Sequence, residues 1–482
     1  MNASRKVLIL LILFISLFIF FAPNSQSLEN TPEEYWMGIY SGDKRVGYSY
    51  NSIEFQNGIT EVKELTKLKI DLLGKEDDVE TKASYKLEGY KILSFNFEMK
   101  SGSIDVKAWG EREGDALKIT METLSGKTER ILPLEKELIL PSLISKLLTE
   151  NKLAPGEKFN IPLFEPLSLL MGMNDSVSTH LIEGKEIMEI PLGKFDTYKV
   201  SSDFMGARST SWITAEGDVV KQEFPPGLIA IKESKEDIIN KKNSSFDIVQ
   251  KTSIPANIRL DNTEKLKYLR IRIDGIGALD KFDIEDGYRQ RLDGQIVEIK
   301  LNESNSFENS YTLPYDSPEY LELTKADFLI QSDDKDIVAI TNKVLNGEKD
   351  PLKAARKINR WIYKNLKKSA TVSIPNAKDV LRTKVGDCNE HAALFSAMSR
   401  AAGIPTKTVL GTMYYKERFY YHAWNEVYIG EWVAVDSTYG QLPVDATHIK
   451  LIEGDLAKSG EILKVVGKIN IEIIDASYDE QK

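Results

Sequence analysis

Three polar side chains in the last quarter of the chain combine the types that thiol-based acyl transfer requires. Cys388 is the only cysteine in the 482 residues, so it cannot form an intramolecular disulfide, and His422 and Asp436 follow it. A thiolate attacks acyl carbons, an imidazole takes up and returns the proton, and a carboxylate orients the imidazole. Cys388, His422 and Asp436 are therefore the predicted catalytic residues.

The position of Cys388 favours its ionisation. A helix is predicted over residues 388–402, and it ends at Gly403 with Pro405 just beyond, a usual stop signal. Cys388 would then lie at the helix N-terminus, where the unpaired N–H groups and the helix dipole favour a thiolate. The same N–H groups could stabilise an oxyanion. The alternative is a buried structural cysteine.

Whether Asp436 can support His422 depends on one turn. A strand is predicted over residues 420–429, with His422 on one face. A two-residue turn at Gly430-Glu431 would direct Asp436 to the opposite face, because side chains alternate along a strand. A three-residue turn that also includes Ile429 would place Asp436 on the face of His422, as a diagonal neighbour. The catalytic hypothesis requires the longer turn or an equivalent bulge.

The remaining candidates are expected to be structural. His391 lies three residues after Cys388 on the same side of the predicted helix, and Asn425 alternates away from His422. The sequence indicates no partner for His180 or His448.

Composition excludes several functional classes. The chain is 42% hydrophobic and 28% charged, which is typical of a folded protein. Its net charge of −10 argues against nucleic acid as a partner. It has no Gly-rich phosphate loop, and no cluster is evident at metal-ligand spacing, so neither a cofactor nor a metal is expected.

The first residues resemble an export signal. Arg5 and Lys6 precede an uncharged apolar stretch, residues 7–22, and a small-x-small sequence ends at Ser27. Residues 1–27 are predicted to be a signal peptide or an N-terminal anchor. The body of the chain would then be exported to the periplasm or cell surface, with possible membrane association through residues 7–22.

The sequence predicts a multidomain α+β protein. Short alternating segments separated by Gly and Asp-Gly breaks predict an antiparallel, β-rich domain over residues 28–240, curved or partly closed. Residues 246–315 contain a second small set of strands, either a spacer or the front of the last domain. From residue 330 the pattern changes to helices followed by strands, which predicts an α+β domain over residues 330–482.

Four stretches of residues 330–445 carry a family resemblance. They are Val385-Gly-Asp-Cys-Asn-Glu-His-Ala-Ala-Leu-Phe, Ala401-Ala-Gly-Ile-Pro, His422-Ala-Trp-Asn-Glu-Val-Tyr and Trp432-Val-Ala-Val-Asp-Ser-Thr. Their order and spacing resemble the core of the transglutaminase-like superfamily, whose members are papain-like thiol enzymes. The resemblance implies that Cys388 is the nucleophile, His422 the general base and then acid, and Asp436 the residue that orients the imidazole. Ser437 departs from the pattern, since many relatives have proline there.

The expected function is acyl transfer from an amide through an acyl-enzyme at Cys388. Hydrolysis of an envelope protein or peptide is favoured over cross-linking, because it needs only water and no calcium-type acidic loop lies beside the motif. The β-rich domain would bind a substrate, partner or ligand. Two alternatives stay open: a binding or scaffold protein with an idle triad, and a carrier of an apolar ligand with the C-terminal domain as an accessory.

Overall fold

The computed structural model describes residues 33–478 except 73, 103, 152, 171–176, 302–310, 370–375, 455–460 and 463. The chain forms two compact units, one ending at Ile248 and the other beginning at Val249. The predicted signal peptide or anchor, residues 1–27, lies outside the described residues. Among the helices of the described part, none has the length and apolar character that a membrane span requires.

The first unit is a large antiparallel sheet, as the sequence predicts. Its strands are β1 (Glu33–Ser41), β2 (Lys44–Gln56), β3 (Ile59–Asp71), β4 (Glu76–Glu88), β5 (Lys91–Ser101), β6 (Ile104–Glu113), β7 (Ala116–Thr123), β8 (Gly126–Pro133), β9 (Lys158–Pro162), β10 (Val177–Ile190), β11 (Gly193–Phe204), β12 (Ala207–Ile213), β13 (Val219–Phe224), β14 (Leu228–Lys232) and β15 (Phe246–Asp247). Its helices are α1 (Ile144–Glu150), α2 (Pro166–Leu170) and α3 (Lys235–Asn240). Strands β8 to β1 pair in sequence, β1 pairs with β14, and β14 to β9 complete the path.

Turn residues and alternation explain this sheet locally. Ser41 opposes Lys44 across the β1–β2 turn, where Gly42 has φ +58°, a conformation that glycine adopts without steric cost. In β5, Phe95 and Phe97 are both buried, since residues two apart lie on the same face.

A small cavity lined by both polar and apolar side chains lies within the first unit. It has a volume of about 20 Å³, and its lining includes Ser49, Glu64, Tyr85 and Glu165. The hydroxyl of Tyr85 donates to Glu64 Oε2 at 3.4 Å, and burial raises the pKa of Glu64 to about 7. A cavity with room for about one water molecule is too small for an apolar ligand.

The second unit combines helices with two antiparallel sheets and one short parallel pair of strands. Its strands are β16 (Ile254–Pro255), β17 (Tyr268–Asp274), β18 (Gln290–Asp293), β19 (Ile296–Lys300), β20 (Lys367–Lys368), β21 (Val385–Gly386), β22 (Thr406–Tyr415), β23 (Arg418–Tyr428), β24 (Trp432–Val435), β25 (His448–Gly454) and β26 (Asn470–Ser477). Its helices are α4 (Ile248–Thr252), which begins at the boundary, α5 (Lys335–Leu345), α6 (Pro351–Asn365), α7 (Ala377–Thr383) and α8 (Cys388–Ala401). Short 3₁₀ turns across the chain are Pro141–Leu143, Thr263–Lys265, Leu279–Lys281 and Leu321–Thr324.

Most strands within residues 246–315 pair with strands of the second unit. Strands β17, β18 and β19 form a four-stranded sheet with β26 from the C-terminal end of the chain. Strands β17, β18 and β19 thus share a sheet with a strand of the second unit, whereas β15 at Phe246–Asp247 pairs with β3 of the first unit. The other sheet pairs β16 and β24 with β23, which continues to β22 and β25.

Helix α8 packs against β22 and β23 of this second sheet. The Asn425 side chain of β23 donates from Nδ2 to the carbonyl of Ala392 at 3.2 Å and to Ser396 Oγ at 2.8 Å. The helix ends at the predicted stop, where Gly403 has φ +78°. A Cβ at Gly403 would lie 2.4 Å from Pro314 Cβ, so this position has no room for a larger residue.

Candidate active site

Cys388 is the first residue of α8, and a capping box fixes that end of the helix. Asp387 Oδ1 accepts from the backbone N–H of Asn389 at 3.1 Å, while the N–H of Asp387 donates to Glu390 Oε2 at 2.8 Å. Gly386 makes this possible, because a Cβ there would come within 2.2 Å of Glu390 Cβ. The Asp-x-x-Glu spacing is a readable sign of a helix start.

The capping box also limits the oxyanion donors that the helix end can offer. The N–H of Asn389 already donates to Asp387, so in this arrangement it is not free to bind an oxyanion. The Cys388 thiol itself lies 4.0 Å from Asn389 Oδ1. The helix N-terminus still supplies the positive end of its dipole to a developing thiolate.

The turn between β23 and β24 has the longer of the two forms considered. Tyr428 pairs with Trp432, so residues 429–431 form a three-residue loop, closed by a hydrogen bond from Ile429 N to Glu431 O of 2.9 Å. This register places Asp436 on the face of His422. Their side chains meet, with His422 Nε2 2.7 Å from Asp436 Oδ2.

Four N–H donors converge on the Asp436 carboxylate. Oδ1 accepts from the backbone N–H groups of Thr438 at 2.7 Å and Tyr439 at 3.3 Å. Oδ2 faces the Nε2 atoms of His422 at 2.7 Å and His448 at 3.1 Å. Burial opposes ionisation, but the attraction of the two imidazoles in their protonated forms, together with their hydrogen bonds, outweighs it and holds the pKa of Asp436 well below its usual range.

These contacts define the tautomer of His422. Because an ionised carboxylate can only accept, His422 Nε2 carries a proton, and in the neutral ring Nδ1 then presents a lone pair. Among the described residues, Nδ1 has no hydrogen-bond partner. Burial lowers the pKa of His422, partly opposed by the charge of Asp436, so the ring is neutral near pH 7. Nδ1 of His422 is therefore a base that can accept a proton.

His448 is a site residue that sequence reasoning missed. Its Nδ1 lies 3.2 Å from Asp445 Oδ1, and its Nε2 lies 3.1 Å from Asp436 Oδ2. The expectation that His448 has no nameable partner is thus wrong. His448 begins β25, and its approach to Asp436 depends on the pairing of β25 with β22, which could not be derived from the local pattern.

The fold brings together three side chains of metal-ligand type that are separated along the sequence. Single ligand atoms of His422, Asp436 and His448 lie within 4.8 Å of one another. However, the 2.7 Å between His422 Nε2 and Asp436 Oδ2 is a hydrogen-bond distance. Ligand atoms about 2.1 Å from one tetrahedral ion would lie roughly 3.4 Å apart. The cluster is therefore best described as hydrogen-bonded.

Aromatic rings enclose the two imidazoles. The Trp424 ring lies stacked with His422 at 6.0 Å between centroids and edge-on to His448 at 5.3 Å. A Cβ at Gly411 would lie 2.8 Å from Trp424 Cη2, so glycine there makes room for the indole. Tyr439 lies edge-on to His422 at 5.7 Å. Trp424 is 1% exposed and belongs to the core.

The other candidates have structural contacts. His391 Nδ1 donates to the carbonyl of Asp387 at 2.5 Å, and burial lowers the pKa of His391. Asn425 bonds α8 as described above. His180, in the first unit, lies between two serine hydroxyls at 2.6 and 2.8 Å.

The structure thus joins His422 and Asp436 directly, and it places Cys388 at the start of the helix that packs on the strand of His422. The charge of Asp436 also acts on the pKa of His391, which lies in the first turn of that helix. Cys388 and Asp436 are both 0% exposed and His422 is 2% exposed. In this closed arrangement a substrate carbonyl cannot reach the thiol without an opening of the site.

Comparison with known proteins supports the resemblance read from the motifs. Residues 338–437 match the family model described as Transglutaminase-like superfamily. Mouse kyphoscoliosis peptidase is 42% identical over 84 residues, which span 15% of this chain and 12% of the peptidase. An uncharacterised protein of Haemophilus influenzae is 32% identical over 127 residues, 24% of this chain and 34% of that protein. The chain therefore spans about a third or less of the length of these relatives.

Two solved structures are similar in part. One, from Cytophaga hutchinsonii and provisionally described as a cysteine protease, is 17% identical, with a TM-score of 0.29, over 44% of this chain and 84% of the other. The other, a β-barrel-like protein of unknown function from Brucella abortus, is 11% identical, with a TM-score of 0.32, over 43% of this chain and 98% of the other.

Proposed function

We propose that this chain is an exported thiol enzyme that transfers an acyl group from an amide through an acyl-enzyme at Cys388. One observation carries the proposal: the His422–Asp436 hydrogen bond of 2.7 Å leaves His422 Nδ1 as a base without a hydrogen-bond partner in the described part of the chain. Cys388 heads the helix packed on the same sheet, and its position at a helix N-terminus favours the thiolate.

The reaction follows from these groups. As Cys388 Sγ attacks the carbonyl carbon, His422 Nδ1 takes the thiol proton, and the same Nδ1–H then protonates the leaving amine as the C–N bond breaks. His422 next removes a proton from water, which attacks the thioester carbon and releases a carboxylic acid, and the proton returns to sulfur. Asp436 stays ionised throughout and stabilises the imidazolium.

Hydrolysis is the favoured outcome, with an envelope protein or peptide as substrate. Water suffices as the acceptor, and the matched relative from mouse is named a peptidase. The envelope location rests on the apolar stretch at residues 7–22 after Arg5 and Lys6.

A second candidate is a binding or scaffold protein with an idle triad. The full burial of Cys388 favours this alternative, because an idle thiol has no need of access. The two functions differ in whether the site opens and whether the thiol is activated when it does.

The deciding experiment is alkylation of Cys388 by iodoacetamide in the full chain, followed by intact mass across pH, for the wild type and His422→Ala. At pH 6 the enzyme should react clearly faster than a free thiol, of which only roughly 0.3% is ionised for a pKa near 8.5. His422→Ala should remove this advantage. A wild-type rate no faster than that of a free thiol, unaffected by His422→Ala, refutes the enzyme and supports the scaffold.

The acceptor and the location need separate measurements. Reaction of an envelope extract in ¹⁸O-labelled water with a fluorescent primary amine present should place ¹⁸O on new carboxyl groups. Incorporation of the amine instead would indicate cross-linking. Cell fractionation with Cys388→Ser as an inactive control would locate the chain, and recovery only in the cytoplasmic fraction contradicts export.

A further inference from the structure

The hydrogen bonds of His448 set it apart from the other buried histidines. His422 faces one carboxylate, His391 a carbonyl and His180 two hydroxyls. His448 has a carboxylate oxygen at each ring nitrogen, with Asp445 at 3.2 Å and Asp436 at 3.1 Å. The side chains of His448 and Asp436 are both fully buried.

This geometry requires a charged ring. A neutral imidazole has one nitrogen with a lone pair, which here would point at an ionised oxygen without an intervening proton. Both contacts are favourable only when both nitrogens carry protons. Burial alone would lower the pKa of His448, but the charge of Asp445 and the hydrogen bonds to both carboxylates outweigh it and raise that pKa.

Asp445 is itself firmly held in its ionised form. Its Oδ1 accepts from the backbone N–H and hydroxyl of Thr447 at 2.9 and 2.6 Å, and its Oδ2 accepts from Gln441 Nε2 at 2.8 Å. Although burial opposes ionisation, the charge and hydrogen bond of His448 lower the pKa of Asp445 to about 2. The order Asp445–His448–Asp436–His422 is thus a chain of alternating charge that ends on a neutral base.

We propose that His448 is a positioning residue that anchors Asp436 from behind and, as a fixed imidazolium, keeps His422 unprotonated so that the site works at acidic pH. This inference rests on the proposed function of the triad. The centroids of the two imidazole rings are 5.6 Å apart. A positive charge at that distance disfavours a second positive charge on His422, while both rings compete for the same Asp436 oxygen.

Two other charged groups near His448, Arg289 and Lys450, have partners of their own. The Arg289 guanidinium donates to the main-chain carbonyls of His448 and Asp445. Lys450, two residues further along β25, pairs with Glu453 at 2.9 Å and Glu426 at 3.5 Å. The adjacent Trp424 ring is uncharged, and the interactions that favour the charged form of His448 come from Asp445 and Asp436.

The test is the pH dependence of Cys388 alkylation by iodoacetamide in the full chain. On the acidic side of the pH profile, here called the acidic limb, the alkylation rate falls because His422 becomes protonated and can no longer accept the thiol proton. His448→Gln removes the cation and should move this acidic limb upward by about one to two pH units. His448→Lys retains a cation and should stay within about half a unit of the wild type.

Two further variants separate positioning from simple structural damage. Asp445→Asn leaves the His448 ring in place but weakens its charge, so it should shift the limb in the same direction. His180→Gln replaces an equally buried histidine in the first unit and should lower stability without moving the limb. The ¹⁵N spectrum of wild-type protein labelled in its four histidines should contain one doubly protonated ring at pH 7.5.

The outcomes distinguish this inference from the proposed function. If Cys388 reacts rapidly and depends on His422, but His448→Gln and Asp445→Asn leave the acidic limb in place, His448 has no such role. If no variant is stable enough to measure, the absence of a doubly protonated ring from the wild-type spectrum overturns the proposal. If wild-type Cys388 reacts no faster than a free thiol, the enzyme proposal itself fails.

Discussion

Asp436→Asn changes the size of the side chain very little, yet the structure predicts a large loss of thiol reactivity. All four groups around this carboxylate are N–H donors, two from backbone and two from imidazoles. An asparagine presents one oxygen and one NH₂ group, so it can accept on one side only. The backbone N–H of Thr438, at 2.7 Å, cannot change its protonation, whereas an imidazole can.

The amide oxygen should therefore face the backbone, and the NH₂ group should face the imidazoles. His422 Nε2 must then become the acceptor, and its proton moves to Nδ1, the atom that should take the thiol proton. A thiol with a pKa near 8.5 that loses its base is ionised to roughly 0.3% at pH 6, so the alkylation rate should fall by up to about 300-fold. That factor corresponds to about 3.4 kcal/mol.

The assay is iodoacetamide alkylation at pH 6, measured by intact mass, with far-UV circular dichroism to verify folding. Asp445→Asn is the matched control, because it alters a buried aspartate of the same chain of contacts that does not touch His422, and its loss should be much smaller. A folded Asp436→Asn protein that reacts within about tenfold of the wild type would refute the tautomer argument.

Three other perturbations have definite expected results. Because the pKa of Asp445 in the folded chain is below its unfolded value of 3.8, ionised Asp445 contributes about 2 kcal/mol to the free energy of unfolding above pH 4, and this contribution is lost as the pH falls toward 2. The difference in stability to urea between the wild type and Asp445→Asn should therefore shrink over that range. The Lys368 ammonium lies over the Tyr439 ring at 5.6 Å, and its charge interacts with that of Asp436. Lys368→Met should therefore lower the ratio of the iodoacetate rate to the iodoacetamide rate at Cys388 a few-fold, whereas Lys368→Arg should keep it. Equal ratios in the wild type and Lys368→Met would show that this cation does not influence the site. Gly411→Ala would place a Cβ 1.9 Å from a neighbouring carbonyl oxygen, so the free energy of unfolding should fall by about 1–3 kcal/mol or more. A melting temperature within error of that of the wild type would contradict this expectation.

Local signals explain what the sequence could predict. The Asp387-x-x-Glu390 spacing and Gly403 define both ends of the helix that carries Cys388, and alternation places His422 on one face of its strand. The contact with Asp436 could be stated only as a condition on a turn, since a one-residue difference reverses the face. The observed pairing of Tyr428 with Trp432 meets that condition.

The contacts that could not be predicted from the sequence join segments that are far apart along the chain. His448 reaches Asp436 only because β25 pairs with β22, on the far side of β22 from β23, and a bulge between Leu410 and Gly411 adjusts its register. Strand order has no local sequence signal, and an isolated glycine such as Gly411 suggests a bulge without defining the register of the strands. The same holds for the sheet that joins Tyr268–Asp274 to Asn470–Ser477, two segments far apart along the chain.

Acylation of Cys388 is the central claim, and a burst measurement with a p-nitrophenyl ester tests it most directly. The wild-type chain should release close to one equivalent of p-nitrophenol per molecule in a rapid phase, with the acyl mass located on Cys388 by peptide mapping. Cys388→Ser should show no such phase, and His422→Ala should greatly slow it. The absence of a burst in the wild type, or an equal burst in Cys388→Ser, would contradict the account.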